Sequence, residues 1–344
     1  MHNLRMAQHF LLSAKARTLS IATIARMGDD EAHATFKALR WADNGGEPFC
    51  PRCGCVAVYT YKARRIWKCK ACNHQFSVTS GTIFSSHKLP IRDYLLAAAI
   101  FVNAVKGISA LQLGRDLDVQ YKTAFVLAHK LREAIGSGQS GGQLSGTVEV
   151  DGLYAGGHSK PANEIAARED RRLSKNQTGK RQSVVVARER GGRTLPVVVA
   201  KEGDAIPFIR QHVARSATVH ADKAPHWDRL HAYFDTKRIN HSVAYSLDGA
   251  CTNQAESFFS RLRRAEFGQH HHISGKYLIA YAREMAWKED NRRVANGEQH
   301  RMATGRGTGA TGKPAVVRVL AAEHLALNAA SGYCIVNHPL IEEL

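Results

Sequence analysis

Four cysteines fall as two C-x-x-C pairs, Cys50-Pro-Arg-Cys53 and Cys69-Lys-Ala-Cys72. A C-x-x-C turn presents two sulfurs to one side of a metal, and two such turns complete the tetrahedral thiolate shell that structural zinc takes. The residues between the pairs, Val56 to Ile66, alternate and carry Tyr59, Tyr61, Lys62, Arg64 and Arg65, which is the pattern of a basic β-hairpin within a zinc ribbon. Cys55 is a further thiol that could swap in as a ligand, although Cys53 has the better spacing to Cys50. A disulfide pair is the competing reading. Met1 to Lys15 lack the long apolar core and cleavage site of a secretory signal, so a reducing compartment and a metal are the expectation. Cys251 and Cys334 stand apart and are expected as buried thiols.

Three acids form a second set suited to harder ions. Asp151 closes the expected strand Val148-Glu-Val-Asp151; alternation puts Val148 and Val150 on a core face and turns Asp151, with Glu149 beside it, toward a cleft. Asp222 closes the expected strand Ala217–Ala221 and leaves the face shared by Ala217, Val219 and Ala221. Glu256 lies in an expected helix from Gln254 to Phe267, on one stripe with Ser260 and Arg263 and nearly opposite Phe258, Leu262 and Ala265. Two strand-end aspartates and a helical glutamate are the oxygen set that a pair of divalent ions, Mg2+ or Mn2+, needs for phosphodiester displacement. Each acid also has an ordinary reading. Asp151-Gly152 suits a turn, Asp222 suits a cap on the following helix, and Asn253 with Glu256 suits a capping box. His270, His271 and His272 are not assigned to metal, because adjacent imidazoles cannot all reach one ion.

The elements that must position these residues divide the chain by texture. Residues 1–45 read as a helical lead-in, 46–88 as the zinc ribbon, and 89–136 as a helix-turn-helix-like segment whose second helix presents Gln120 and Lys122. An ordinary helical bundle is the alternative for that segment. A linker rich in Gly, Ser and Gln follows, and residues 147–293 begin with strands and continue with helices, the order of a mixed α/β domain. A basic insertion, 156–181, interrupts it and carries Arg171 and Arg172, expected to lie along DNA or to be a solvated loop. Trp227 and Trp287 are expected in the core or a groove wall. Gly305–Lys313 is expected as a Gly/Thr linker, and the tail 313–344 carries no motif.

Composition narrows the partner. The chain has 344 residues, enough for two or three domains, and a net charge of +18 that calls for a polyanion. No run of roughly eighteen apolar residues is present, which favours nucleic acid over a membrane and a soluble, cytoplasmic, nucleoid-associated protein.

In order along the chain, the ribbon, the helical segment, Val148-Glu-Val-Asp151-Gly-Leu-Tyr154-Ala-Gly156-Gly157, the strand ending at Asp222, and Thr252-Asn253-Gln-Ala-Glu256-Ser-Phe-Phe-Ser-Arg-Leu-Arg263-Arg264 with His271-His272-Ile-Ser274 resemble the ISXO-type DDE transposases of bacterial insertion sequences. The resemblance covers about residues 30–293. It implies an α/β fold with an RNase H-like catalytic core, double-stranded DNA as substrate, structural Zn2+ on Cys50, Cys53, Cys69 and Cys72, and catalytic Mg2+ or Mn2+ on Asp151, Asp222 and Glu256. Asn253 would share the third role, and Arg263 would contact phosphate. Arg64, Arg65, Gln120, Lys122, Arg171 and Arg172 would bind DNA, and a homodimer or larger synaptic assembly would join two element ends. Two positions depart from the family pattern: Gly152 stands where an acidic residue often follows the first aspartate, and Asp222-Lys-Ala-Pro-His226-Trp227 is not the commonest form of the second motif. The alternative is a non-catalytic zinc-ribbon DNA-binding regulator or a decayed transposase.

Overall fold

The computed structural model describes residues 10–86, 88–138, 141–155, 162–169, 181–240, 246 and 249–309. Arg171, Arg172, most of the basic insertion and the tail 313–344 lie outside the described residues. The chain divides into two units, one of Met1–Ala104, Ser109–Ser137 and Arg293–Leu344, the other of Val105–Ile108 and Gly138–Arg292.

The first unit opens with α1 (Ile21–Ala25) and α2 (Asp29–Arg40). Helix α2 begins with Asp29, Asp30 and Glu31 and ends with Lys37 and Arg40, so its charges oppose the partial charges of its own ends. A small antiparallel sheet follows, β1 (Val58–Tyr61), β2 (Ile66–Cys69) and β3 (Gln75–Ser77), in that spatial order. Strands this short bury little alone. Trp67 and Phe76, partners across β2 and β3, gather with Trp41 after α2 at ring separations of 5.3 to 6.4 Å. Helices α3 (Ile91–Asn103), α4 (Ala110–Asp116) and α5 (Tyr121–Ser137) supply most of the remaining apolar core. The Ser109 side chain caps α4 by accepting from the Gln112 amide, and Asp118, at φ +52°, lies in the turn toward α5. The expected helix pair with a short turn is present, with Gln120 and Lys122 exposed at the start of its second helix.

The second unit is built on five strands, β4 (Thr147–Ala155), β5 (Gln182–Glu189), β6 (Thr194–Val199), β7 (Thr218–Asp222) and β8 (Asp235–Ile239). Their spatial order is β6-β5-β4-β7-β8. β4, β5 and β6 pair antiparallel, while β7 runs parallel to β4 and β8 parallel to β7. Helix α6 (Ile206–His212) lies in the crossover from β6 to β7, and α7 (Asn253–Ala265) and α8 (Gly275–Asp290) come after the sheet. Alternation along the strands sends side chains into two cores. Val148, Val150, Val219 and Ala221 pack with Ile206 and Ile209 of α6 and with Trp227. Leu153, Val184 and Val186 pack under Phe258 and Leu262 of α7 and Leu278 and Met285 of α8. The unit is therefore a sheet between two helical layers. Glu289 of α8 ties that packing together: it pairs with buried Arg188 of β5 at 3.3 Å and with Arg261 of α7 at 2.7 Å.

Residues Asn296–Gly309 form α9, part of the first unit. Gly305–Lys313, expected as a linker, is thus helix as far as Gly309. Tertiary contacts outweigh the poor helix propensity of its glycines. A Cβ at Gly307 would lie 2.7 Å from the Phe84 ring, and the Gly307 carbonyl accepts from the Ile83 amide at 3.1 Å. At the other end, the Asn296 side chain accepts from the amides of Thr18 and Leu19, both at 2.9 Å. Among the described residues no helix is long and apolar enough to cross a membrane.

Candidate active site

The thiols meet as their spacing requires. The sulfurs of Cys50, Cys53, Cys69 and Cys72 all lie within 4.8 Å of one another, with Cys50 to Cys72 at 3.6 Å and Cys53 to Cys69 at 3.5 Å. Zinc–sulfur bonds of about 2.3 Å in a tetrahedron put sulfurs about 3.8 Å apart, whereas a disulfide would draw them to about 2 Å. The donor set therefore fits a zinc ion. The Cys72 amide, 3.5 Å from the Cys69 sulfur, pulls that thiol down to about 6, while the crowding of sulfurs leaves Cys53 and Cys72 raised. Cys55 lies outside the set, its sulfur 3.7 Å from the Ala57 carbonyl. Arg64 and Arg65 are exposed between β1 and β2, and Arg65 pairs with Asp30 at 2.5 Å.

The carboxylates are brought together by sheet register. Val150 pairs with Ala221 as the last step of the parallel β4–β7 ladder, so Asp151 and Asp222 are the next residues on adjacent strands and share the face opposite Val150 and Ala221. Asp151 was expected to end its strand; β4 instead continues to Ala155 through pairing with β5, and only its β7 partner stops. Asp151 is thus at a strand end with respect to β7 alone. Helix α7 lies over the same face with Phe258 and Leu262 buried, which leaves Glu256, Ser260 and Arg263 on its other stripe. Asp151, Gly152, Asp222, Glu256, Phe259, Ser260, Arg263 and Arg264 line one open cleft of about 630 Å³. The three carboxylates are spread more widely than the thiols, since among the described residues the four cysteines alone form a group of three or more ligands within 4.8 Å of each other. Asn253 is exposed in the first turn of α7, three residues before Glu256, and is not among the residues lining that cleft.

The ordinary readings of the acids resolve one by one. Asp151 makes no turn, because β4 runs through it; its Oδ1 accepts from the Gly152 amide at 2.8 Å. Asp222 keeps a local role, accepting from the Ala224 amide at 3.2 Å, and also lines the cleft. The capping box is absent, since α7 receives its cap from Glu149. That side chain, expected to face the cleft, is fully buried, and its Oε2 accepts from the amides of Gln254 at 2.8 Å and Ala255 at 3.1 Å. Its Oε1 accepts from Arg190 at 2.8 Å. A carboxylate two residues before Asp151 thereby fixes the helix end two residues before Glu256, which the spacing of Glu149 alone could not reveal.

Crowding shows in the electrostatics. Burial, and then the charges of Asp222, Glu202 and Glu256, push Asp151 up to about 7 against the pull of the Gly152 amide. Such a site gains from a cation. The oxygen-only donor set fits hard divalent ions such as Mg2+ or Mn2+, and Arg263 and Arg264 line the same cleft.

Comparison with known proteins agrees with this division. Residues 27–75, which hold all four cysteines, match the transposase zinc-ribbon domain, and residues 143–290, which hold all three acids, match the ISXO2-like transposase domain. A protein of the transposable element ISH50 of Halobacterium salinarum is 26% identical over 258 residues, covering 71% of this chain and 85% of that protein. No solved structure matches the chain. The ribbon and the carboxylate unit are each matched in place and order, and over these two stretches the chain resembles the ISXO2-like insertion-sequence transposases.

Proposed function

We propose that this protein binds the double-stranded DNA ends of an insertion sequence and cuts and joins DNA by phosphodiester transesterification in the cleft of Asp151, Asp222 and Glu256. The observation that carries the reading is the register of β4 on β7, which sets two aspartates side by side beneath a helix bearing Glu256 and Arg263. The order β6-β5-β4-β7-β8, with the first aspartate on the central strand, supports an RNase H-like core. Mg2+ or Mn2+ held by the three carboxylates would supply charge neutralisation and activation of water or a 3′-hydroxyl as nucleophile. The protein contributes placement. Asp151 and Asp222 are fixed by the sheet, Glu256 by the cap that Glu149 gives α7, and Arg263 and Arg264 hold phosphate beside them. The zinc ribbon with Arg64 and Arg65, the helix pair with Gln120 and Lys122, and the insertion with Arg171 and Arg172 serve as DNA contacts, most of them to phosphate. Joining two ends calls for a homodimer or larger synaptic assembly on DNA, acting in the bacterial cytoplasm at the nucleoid.

The test is incubation of the purified chain with labelled element-end DNA and Mg2+ or Mn2+. Cleavage and strand transfer are expected, and Asp151→Asn is expected to lower both by on the order of 10³-fold with end binding retained. Tight end binding with no cleavage under either ion would leave the regulator reading in place.

A further inference from the structure

Gly152 follows Asp151 on β4, and the space where its side chain would stand is filled from elsewhere. A Cβ on Gly152 would lie 2.5 Å from Cδ, 2.6 Å from Cγ and 2.7 Å from Oε1 of Glu202. Glu202 begins a short 3-10 turn, Glu202–Ala205, that leads from β6 into α6, some fifty residues from Asp151. Its side chain is only 16% exposed. Oε1 is 3.5 Å from the hydroxyl of Ser183, itself fully buried on β5. Oε2 is 3.1 Å from Nε2 of His226, four residues beyond Asp222, and that nitrogen is buried and makes no hydrogen bond. Among the described residues, Glu202 pairs with no lysine or arginine. Its charge reaches both Asp151 and Asp222. A carboxylate embedded beside two others, with no guanidinium or ammonium partner, is unfavourable in the metal-free protein. The fold nevertheless clears a path for it by having no side chain at position 152.

We propose that Glu202 is a fourth carboxylate of the cleft, a ligand for the divalent ion held by Asp151 and Asp222, and that Gly152 is small so that Glu202 can reach it. The proposal rests on the metal-dependent reading above and adds a residue to it. Ser183 donates to one Glu202 oxygen, and His226 packs against the other, which holds the carboxylate beside Gly152.

Mn2+ binding to the full-length protein at pH 8, read by electron paramagnetic resonance of free Mn2+, tests it without a DNA substrate. Glu202→Gln is expected to weaken Mn2+ binding by about 10-fold or more, and to melt at the same or a higher temperature than the parent in buffer without Mn2+ or Mg2+, because a repelled charge has been removed. Gly152→Ala, which leaves Glu202 chemically intact but displaces it, is expected to weaken Mn2+ binding in the same direction. Gly152→Asp with Glu202→Ala returns a carboxylate from the β4 side and is expected to recover part of the loss. Parent-like Mn2+ binding in Glu202→Gln, with binding lost in Asp151→Asn, would overturn the proposal and leave Glu202 a structural residue; so would a lower melting point with an unchanged response to Mn2+. Should Glu202→Gln not fold, Gly152→Ala decides, and parent-like binding there overturns the proposal. Parent-like binding in both Asp151→Asn and Glu202→Gln would sink the metal-dependent reading itself.

Discussion

The thiolate site and the carboxylate cleft reach their geometry by opposite routes. The four sulfurs all lie between Cys50 and Cys72, on two tight turns joined by β1 and β2. The three acids span Asp151 to Glu256 and meet only because β4 lies in register on β7 and α7 docks across them. A site made of near neighbours is specified by spacing and needs its ion to hold the surrounding fold. A site assembled across a sheet is specified by packing, and its scaffold should stand whether or not an ion is bound.

That contrast predicts the largest effect at the ribbon. Zinc removal by a strong chelator, or Cys69→Ser, is expected to unfold β1–β3, since structural zinc contributes on the order of 10 kcal/mol to domains of this kind. Hydrogen exchange should then show protection lost over β1–β3 and kept over the strands β4–β8 and the helices α7 and α8. Equal loss in both regions would break the comparison.

At the cleft the ion should matter through charge instead of folding. Asp151 rises from 3.8 to about 7 in the folded protein, so the folded state holds its proton more tightly than the unfolded chain. Metal-free stability should therefore fall as pH rises from about 4 to about 7, by up to about 4 kcal/mol from this group, and stay level above that range. Mg2+ or Mn2+ should stabilise the protein more at pH 8 than at pH 5, where binding must displace the proton. Thermal melts with and without the ion at the two pH values check both signs.

Smaller effects separate placement from contact. Glu149→Gln leaves Arg190 partly unpaired and weakens the α7 cap, which should lower stability by about 3 kcal/mol and reduce cleavage while leaving DNA binding intact. Arg263→Ala touches only the exposed wall. It should reduce the slope of log affinity against log salt by about one unit and leave the melting temperature unchanged.

The same contrast explains what the sequence made legible. Cysteine spacing alone picked out the four thiols that the fold brings together, and strand parity placed Asp151 and Asp222 opposite the valine and alanine core faces. The helical stripe of Glu256, Ser260 and Arg263 likewise followed from one turn of about a hundred degrees per residue. Glu149 was misplaced because its partners, the amides of Gln254 and Ala255, lie over a hundred residues away and carry no side-chain signature. Glu202 gave no signal at all, since only the tertiary fold shows that it fills the space above Gly152. Helix α9 was hidden by its own glycines, which read as a linker until Phe84 is seen packed against one of them.

Metal-directed cleavage of the polypeptide tests the convergence of the acids most directly. With Fe2+ in place of Mg2+ and a reductant to generate hydroxyl radicals, the backbone is cut where the ion sits. Cuts grouped near residues 151, 222 and 256, suppressed by excess Mg2+ and absent in Asp151→Asn, are the predicted result. Cuts confined to one of those segments, or unchanged by the substitution, would contradict the shared ion site on which the account rests.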